Sequence, residues 1–219
     1  TVSVEEYKDN GYLSEALFNF LTLLGFAPEN NLEITSINEL INIFTFERVN
    51  KSSAVFDMKK LNWINSEYIK SADEAEIINL IAEKLDRLNI KNNKQVNSEY
   101  IKKVYQLMKE RVYTINDFTE FGKYFFTDPV TYDEKGLAKH WSPEIKPIFE
   151  SFTKELELIN YWEAPKIEEK TRNFAELHNI KAAQLIHILR LSVTGISVSP
   201  GIFEVLELLS KETAVNRIN

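Results

Sequence analysis

The chain has no cysteine and only three histidines among its 219 residues. Without thiols it cannot form disulfides, thiolate zinc sites or a cysteine nucleophile, and three histidines do not favour a histidine-rich metal centre. The motifs G-x-G-x-x-G, G-x-x-x-x-G-K-[ST], G-x-S-x-G and H-E-x-x-H are also missing. The sequence therefore predicts no catalytic residue and no metal site in this chain.

Glycine and proline are scarce, at six residues each. A β-sandwich or barrel of this length would need many turns, and a doubly wound fold would need glycine-rich loops after its strands. Apolar residues instead recur at helical spacings of three and four, and a hydrophobic content of 44% is enough for a sizeable core. We therefore predict an all-α protein, a helical bundle in two parts.

Long apolar runs are missing as well. No run approaches the roughly 20 residues that span a bilayer, and no basic-then-apolar signal peptide opens the sequence. The formal net charge is -7, which disfavours long-range attraction to nucleic acids. We expect a cytoplasmic monomer that has neither a membrane nor DNA as a partner.

Breaks in the helical pattern divide the chain. Ser71 with Glu74 has the spacing of a capping box and predicts the start of a new helix. From residue 126 to residue 142 the pattern is broken, and we expect mostly loop there. The sequence thus predicts two domains, residues 1–70 and 71–219, with a further subdivision near residue 142.

One basic stretch stands out against the acidic total. Residues 91–111 hold six basic residues against two acidic ones, with Tyr100, Tyr105 and nearby Tyr113 interleaved. Lysines bind phosphates and aromatic faces stack on unpaired bases, so this stretch could bind RNA. The alternative is a solvated helix face whose tyrosines enter the core. The basic residues are Lys91, Lys94, Lys102, Lys103, Lys109 and Arg111.

Arg190 is unusual because it lies in an otherwise apolar helical segment, just before a turn. An arginine in that position must reach solvent, a carboxylate or a ligand. Ser199-Pro200 predicts the start of the next helix, whose first backbone N–H groups are unpaired. An arginine beside open amides could hold a nucleotide, and the alternative is an N-cap with an ion pair.

Three ordered motifs resemble bacterial glutamyl-tRNA synthetases. The first is similar to the region after the KMSKS-type loop of that family, the second to its next signature and the third to its C-terminal signature. The resemblance covers essentially the whole chain. The motifs are Ser3–Leu17 with Leu23–Pro28, Glu47–Asp57 with Lys60–Asn65 and Tyr68–Ile69, and Leu189–Gly195 with Ser199–Leu206.

The resemblance implies the C-terminal half of such an enzyme, because neither a HIGH-like nor a KMSKS-like motif occurs here. In the family this half has a stem-contact region, which would be residues 1–70, and an all-helical anticodon-binding domain, which would be residues 71–219. The implied partner is tRNA(Glu). ATP, glutamate and a divalent metal ion would bind in the other half, so no cofactor is expected in this chain.

The resemblance also implies tRNA-binding residues. Arg111, within Leu107–Ile115, matches the arginine that recognises the third anticodon letter, and Arg190 matches an arginine of the C-terminal signature. The loop around the other anticodon bases is matched by Ser199, Pro200, Gly201 and Ile202. The family often has threonine where Ser199 stands, and serine keeps the hydroxyl. The alternative function is a helical protein–protein interaction module without RNA binding.

We predict that this chain alone activates no glutamate, because the resemblance places the ATP-binding motifs in the other half of the enzyme. Pyrophosphate exchange with ATP and glutamate should stay at background with the purified chain. Exchange clearly above that of a heat-inactivated sample would contradict the prediction.

Overall fold

The computed structural model is built from α-helices joined by short connections. Twelve α-helices form within the residues that the structure describes. Between these helices the only pairing of extended backbone in the described residues is an isolated antiparallel bridge of Phe26 with Val49. The predicted all-α class is thus confirmed. The described residues are 3–28, 32–50, 55–90 and 96–219.

Two compact units share the chain, Thr1–Phe121 (unit 1) and Gly122–Asn219 (unit 2). The boundary predicted between residues 70 and 71 and the subdivision predicted near residue 142 stay predictions. Part of the second motif of the family resemblance, residues 51–54, lies outside the described residues.

Unit 1 contains the first six α-helices. Its 3-10 turns lie at Phe46–Arg48 and Ile115–Phe118. The helices are α1 (Val4–Asp9), α2 (Ser14–Gly25), α3 (Ile37–Ile43), α4 (Met58–Ser71), α5 (Glu74–Arg87) and α6 (Ser98–Met108).

The packing of unit 1 pairs α2 with α4 and α5 with α6. Between α2 and α4 the fully buried side chains include Phe20, Leu61 and Ile64, which lie on the apolar stripes of the two helices. Burying each such side chain contributes about 1.5–3 kcal/mol to folding. The helical spacing of apolar residues is therefore what brings these helices together.

The start of α5 differs from the sequence-based expectation. Asp73 caps this helix, since its carboxylate accepts the backbone N–H groups of Ala75 at 2.8 Å and Glu76 at 3.2 Å. Ser71, predicted as the cap, is the last residue of α4, and its hydroxyl donates to the Glu67 carbonyl. A carboxylate two residues closer to the helix can reach its first N–H groups, so the capping-box prediction was wrong here.

Asn65 of α4 joins two distant parts of unit 1. Its side chain is fully buried. Its Oδ1 accepts the N–H of Leu13 at 2.8 Å, and its Nδ2 donates to the carbonyl of Tyr113 at 2.5 Å. The beginning of α2 is thereby tied to the turn after α6, which carries Arg111.

Unit 2 contains the remaining six α-helices and a 3-10 turn at Lys123–Phe125. The first of the six, at residues 134–140, lies where the sequence predicted mostly loop. The helices are α7 (Glu134–His140), α8 (Ile145–Glu157), α9 (Ala164–Leu177), α10 (Ala182–Thr194), α11 (Ile202–Leu209) and α12 (Lys211–Ile218).

Helix α10 lies at the centre of unit 2, where it packs against α7, α9, α11 and α12. This position explains its apolar sequence, since Leu185, Leu189 and Val193 are fully buried.

The next helix, α11, begins at Ile202 with Gly201 as its N-cap, two residues later than Ser199-Pro200 predicted. None of the described helices combines the length and the apolar character that crossing a bilayer requires.

We predict that Asn65→Leu lowers the free energy of unfolding by about 2–4 kcal/mol. Leucine has a similar volume but leaves the Leu13 N–H and the Tyr113 carbonyl without their partner, and each orphaned group costs about 1–3 kcal/mol. Urea denaturation followed by circular dichroism measures the effect. The matched control is Asn38→Leu on the exposed face of α3, which should change stability by no more than about 0.5 kcal/mol. Equal losses in the two variants would contradict the role of Asn65.

Candidate nucleic-acid interface

The turn that follows α10 begins at Gly195, which has a φ of 77°. Its N–H donates to the carbonyl of Leu191 at 2.8 Å and closes the helix. A Cβ at this position would lie 2.5 Å from the carbonyl oxygen of Thr131. Both the left-handed backbone and the close approach of residue 131 therefore require glycine. We call residues 194–201 the recognition turn.

Asp133, the N-cap of α7, holds the recognition turn from outside. Its backbone N–H donates to the carbonyl of Gly195 at 2.8 Å, and its carboxylate accepts the hydroxyl of Ser197. The same carboxylate accepts the N–H groups of Lys135 and Gly136. The Ser197 hydrogen bond, together with these N–H groups, holds the pKa of Asp133 below its ordinary value. The carboxylate is therefore charged at neutral pH and clamps the turn to α7.

Gly136 allows Ser197 of the recognition turn to approach α7 closely enough to bond to Asp133. The residue is buried, and a Cβ added to it would overlap the Ser197 hydroxyl oxygen. Any residue with a Cβ would have to displace the Ser197 hydroxyl, which donates to Asp133. Glycine is needed here for the close approach of two segments rather than for an unusual backbone conformation.

Arg190 and Ser199 meet across the recognition turn. The Arg190 Nε donates to the Ser199 Oγ at 3.0 Å, and the Ser199 hydroxyl donates to the carbonyl of Pro200 at 2.8 Å. Ser199 is only 8% exposed, so this pair is largely shielded from water. Ser199 therefore orients the arginine. It does not cap α11, although the alternative interpretation of the sequence had proposed a cap there.

The four loop residues predicted from the resemblance differ in exposure. Gly201 is exposed, whereas Ser199, Pro200 and Ile202 are buried. Of these four residues, only Gly201 is therefore exposed to a ligand. The carboxylate of Glu204 lies over Gly201, where an added Cβ would overlap it, so it occupies the positive end of the α11 dipole.

Arg111 lies in unit 1, just after α6. Its N–H donates to the carbonyl of Met108 at 2.8 Å, and its side chain is exposed. Asp117, the carboxylate that could have paired with it, instead accepts the N–H groups of Tyr113 at 2.7 Å and Thr114 at 2.9 Å. Within the described ranges no carboxylate forms an ion pair with Arg111, so its guanidinium is open to a ligand.

The basic stretch around α6 combines both interpretations of the sequence. Tyr105 is buried, with its hydroxyl on the carbonyl of Ile69, and Lys102 pairs with Glu74 at 2.9 Å. These residues behave as an ordinary helix face with a tyrosine in the core. Tyr113, in contrast, is 54% exposed beside Arg111. Two further members of the stretch, Lys91 and Lys94, lie outside the described residues.

Arg217 in α12 supports the site, although nothing in the sequence singles it out. Its side chain is only 7% exposed, and Nε pairs with Asp128 at 2.8 Å. Nη1 donates to the carbonyls of Tyr124 at 2.8 Å and Val193 at 2.9 Å, and Nη2 donates to Thr127. The last turn of α10, which leads into the recognition turn, is thus fixed by a buried arginine.

Asp133 could have been found from the sequence, because an aspartate just before a helix is a common N-cap. Gly136 carried no such signal, since only the approach of Ser197 reveals its role.

In the part of the chain that the structure describes, no group of three or more histidine or acidic side chains could hold a metal ion.

Comparison with known families identifies the class of the chain. Residues 75–219 match the sequence model of the anticodon binding domain, and residues 1–63 match that of the catalytic domain of class I tRNA synthetases (E and Q). The chain therefore belongs to the anticodon-binding domain family. The first match crosses the division between the two packing units.

Curated proteins of similar sequence narrow the family of the chain to one kind of tRNA synthetase. The chain is 38% identical over 216 residues to glutamate–tRNA ligase 2 of Caldicellulosiruptor saccharolyticus and 36% identical over 220 residues to the glutamate–tRNA ligase of Moorella thermoacetica. Each match covers 99% of this chain but only 45% of the relative. The resemblance to glutamyl-tRNA synthetases inferred from the motifs is confirmed, and the chain spans about half the length of these relatives.

Solved structures agree with the sequence comparison. A glutamate tRNA ligase from Elizabethkingia meningosepticum, in complex with its amino acid, matches with a TM-score of 0.86 and 32% identity, over 97% of this chain and 41% of that one. The glutamate-tRNA synthetase from Elizabethkingia anophelis matches with a TM-score of 0.83 and 30% identity, over the same shares. The helical architecture described above is therefore that of this enzyme class.

We predict that Gly195→Ala destabilises unit 2. The left-handed backbone costs a residue with a Cβ about 1–3 kcal/mol, and the contact with the Thr131 carbonyl adds to this. The matched control is Gly25→Ala, because Gly25 ends α2 with no atom within 4 Å of the added Cβ. The control should raise stability by up to about 1 kcal/mol. Thermal unfolding of both variants measures the difference, and a Gly195→Ala protein as stable as the original would refute the requirement for glycine.

Proposed function

We propose that this chain binds tRNA(Glu) at its anticodon loop and forms the tRNA-recognition part of a glutamate–tRNA ligase. ATP, glutamate and a divalent metal ion bind outside these 219 residues. The observation that carries the proposal is the arginine–serine pair across the recognition turn, Arg190 with Ser199 at 3.0 Å. It lies within the residues that match the anticodon binding domain.

The chemistry of the pair suits an unpaired RNA base. A guanidinium is a planar cation whose N–H groups only donate, and the Nε of Arg190 is oriented by its hydrogen bond to Ser199. Anticodon loops are single-stranded, and proteins recognise such loops by stacking and by hydrogen bonds to the base edges. A local cationic site therefore suffices, and the net charge of -7 weakens only the long-range attraction.

The alternative of a protein–protein interaction module has no comparable support, since no observation on the described residues favours it. A binding experiment separates the two functions. The RNA-binding function requires retention of tRNA that weakens as salt rises, because cations released from the RNA backbone drive part of the binding. A chain that retains no tRNA at low salt would overturn the proposal.

We predict that Arg190→Ala weakens tRNA binding by about 1–3 kcal/mol, since one charged contact to a nucleotide is lost. Filter binding with labelled tRNA(Glu) measures the change. The matched control is Arg172→Ala in the same unit, where the arginine is exposed and pairs with Glu168 at 2.6 Å. Removing the same charge at this position should change the affinity by less than about 0.5 kcal/mol. Equal weakening in both variants would mean that Arg190 acts only through the net charge.

We predict that Arg111 favours cytosine over guanine as the third anticodon letter, the letter that separates the tRNAs for glutamate and glutamine. The guanidinium has only donors, and the Watson–Crick edge of cytosine offers two adjacent acceptors. Guanine offers one acceptor and two donors, which would face Arg111 unpaired. An opposed polar group costs about 1–3 kcal/mol.

Two tRNA transcripts that differ only at this letter test the prediction. The unmodified chain should bind the cytosine form more tightly, and Arg111→Gln should lose the preference. Arg87→Gln, which changes an exposed arginine at the end of α5, should keep it. If the unmodified chain binds both transcripts equally, Arg111 does not recognise this base.

A further inference from the structure

Two histidines from different helices of unit 2 stack on each other. His140 is the last residue of α7 and His187 lies in α10, and their ring centroids are 4.1 Å apart with an angle of 17° between the planes. Both residues are partly exposed, so the stacked pair reaches the surface. We call these two rings the histidine platform.

The platform lies beside Arg190. His187 precedes Arg190 by three residues on α10, which places the two side chains on the same face of the helix. The His187 side chain also lies close enough to Arg190 and Lys139 to feel their charges. The platform is therefore adjacent to the arginine–serine pair of the recognition turn.

Both rings are neutral at neutral pH. Burial is the largest cause that lowers the pKa of His140 and of His187. The cationic neighbours lower the pKa of His187 further, as Lys139 does for His140. Neutral imidazoles do not repel each other, and they offer a flat aromatic surface.

The charged groups that act on His187 are all cationic, although the chain as a whole is acidic. Lys139 is exposed and forms no ion pair with any described residue. A flat, neutral aromatic surface between two cations is complementary to a nucleotide, whose base is flat and whose phosphates are anionic. A peptide or a lipid headgroup would have less use for the aromatic plane.

We propose that the histidine platform is a stacking site for an unpaired RNA base, with Lys139 contacting a phosphate that flanks this base. The inference rests on the proposed binding of tRNA and adds to it a second point of contact, separate from the Arg190–Ser199 pair. Histidine is among the side chains on which proteins stack splayed-out bases. Stacking tolerates any base, so this site contributes affinity rather than sequence specificity.

The test measures binding of tRNA(Glu) and of its isolated anticodon stem–loop to the full chain and to four variants. His187→Ala should weaken binding about tenfold, the order of magnitude of one base–aromatic contact. His187→Phe keeps a flat ring and should bind within about twofold of the unmodified chain. Lys139→Gln should lower the slope of log affinity against log salt by about one, because one phosphate contact is lost.

His178→Ala is the matched control. His178 also stacks on an aromatic ring at 4.1 Å, that of Phe174 at the end of α9, and its loss should leave tRNA binding unchanged. Circular dichroism shows whether each variant is folded. If His187→Ala does not fold, the nuclear magnetic resonance signals of the His187 ring in the unmodified chain replace it, because stacking on a base shifts them upfield.

The outcomes separate the two proposals. A chain that binds tRNA, loses affinity in Arg190→Ala and keeps full affinity in His187→Ala would overturn the platform and leave the proposed function intact. Ring signals of His187 that do not move when the stem–loop binds would overturn it equally. A chain that binds no tRNA would overturn both.

Discussion

The left-handed turn at Gly195 reverses the chain at the end of α10, and the Arg190–Ser199 pair depends on this reversal. Arg190 can reach Ser199 only because the eight residues between them fold into a closed turn. The hydrogen bonds of Asp133 to Gly195 and Ser197 hold the turn from one side, and Arg217 holds the last turn of α10 from the other. A loop without these supports would pay the entropy of ordering whenever a ligand bound.

One of these supports, Arg217, lies where water has little access, and this makes it costly to disturb. Arg217 is almost completely buried and satisfies one carboxylate and three carbonyls. Removing such a buried charge leaves several acceptors without a partner, which costs more than the loss of a surface ion pair. Stability of unit 2 and geometry of the recognition turn are therefore linked through the same side chains.

The distribution of charge explains how an acidic chain can present cationic sites. One cation of the basic stretch, Lys102, is neutralised within the protein by Glu74. Arg111 stays exposed because Asp117 is used by backbone N–H groups. Repulsion from the acidic remainder is screened beyond about 10 Å at ordinary salt, so isolated cations can still act on a ligand in contact.

The sequence by itself determined the all-α class, since helical spacing and scarce glycine and proline are local properties. It also marked Arg190 as an anomaly, because this residue departs from its apolar neighbours. Only the tertiary structure decided that Asp133 meets Ser197 across 64 positions and that His140 stacks on His187. These contacts join residues far apart in the chain, and they depend on how whole helices pack, which no local pattern encodes.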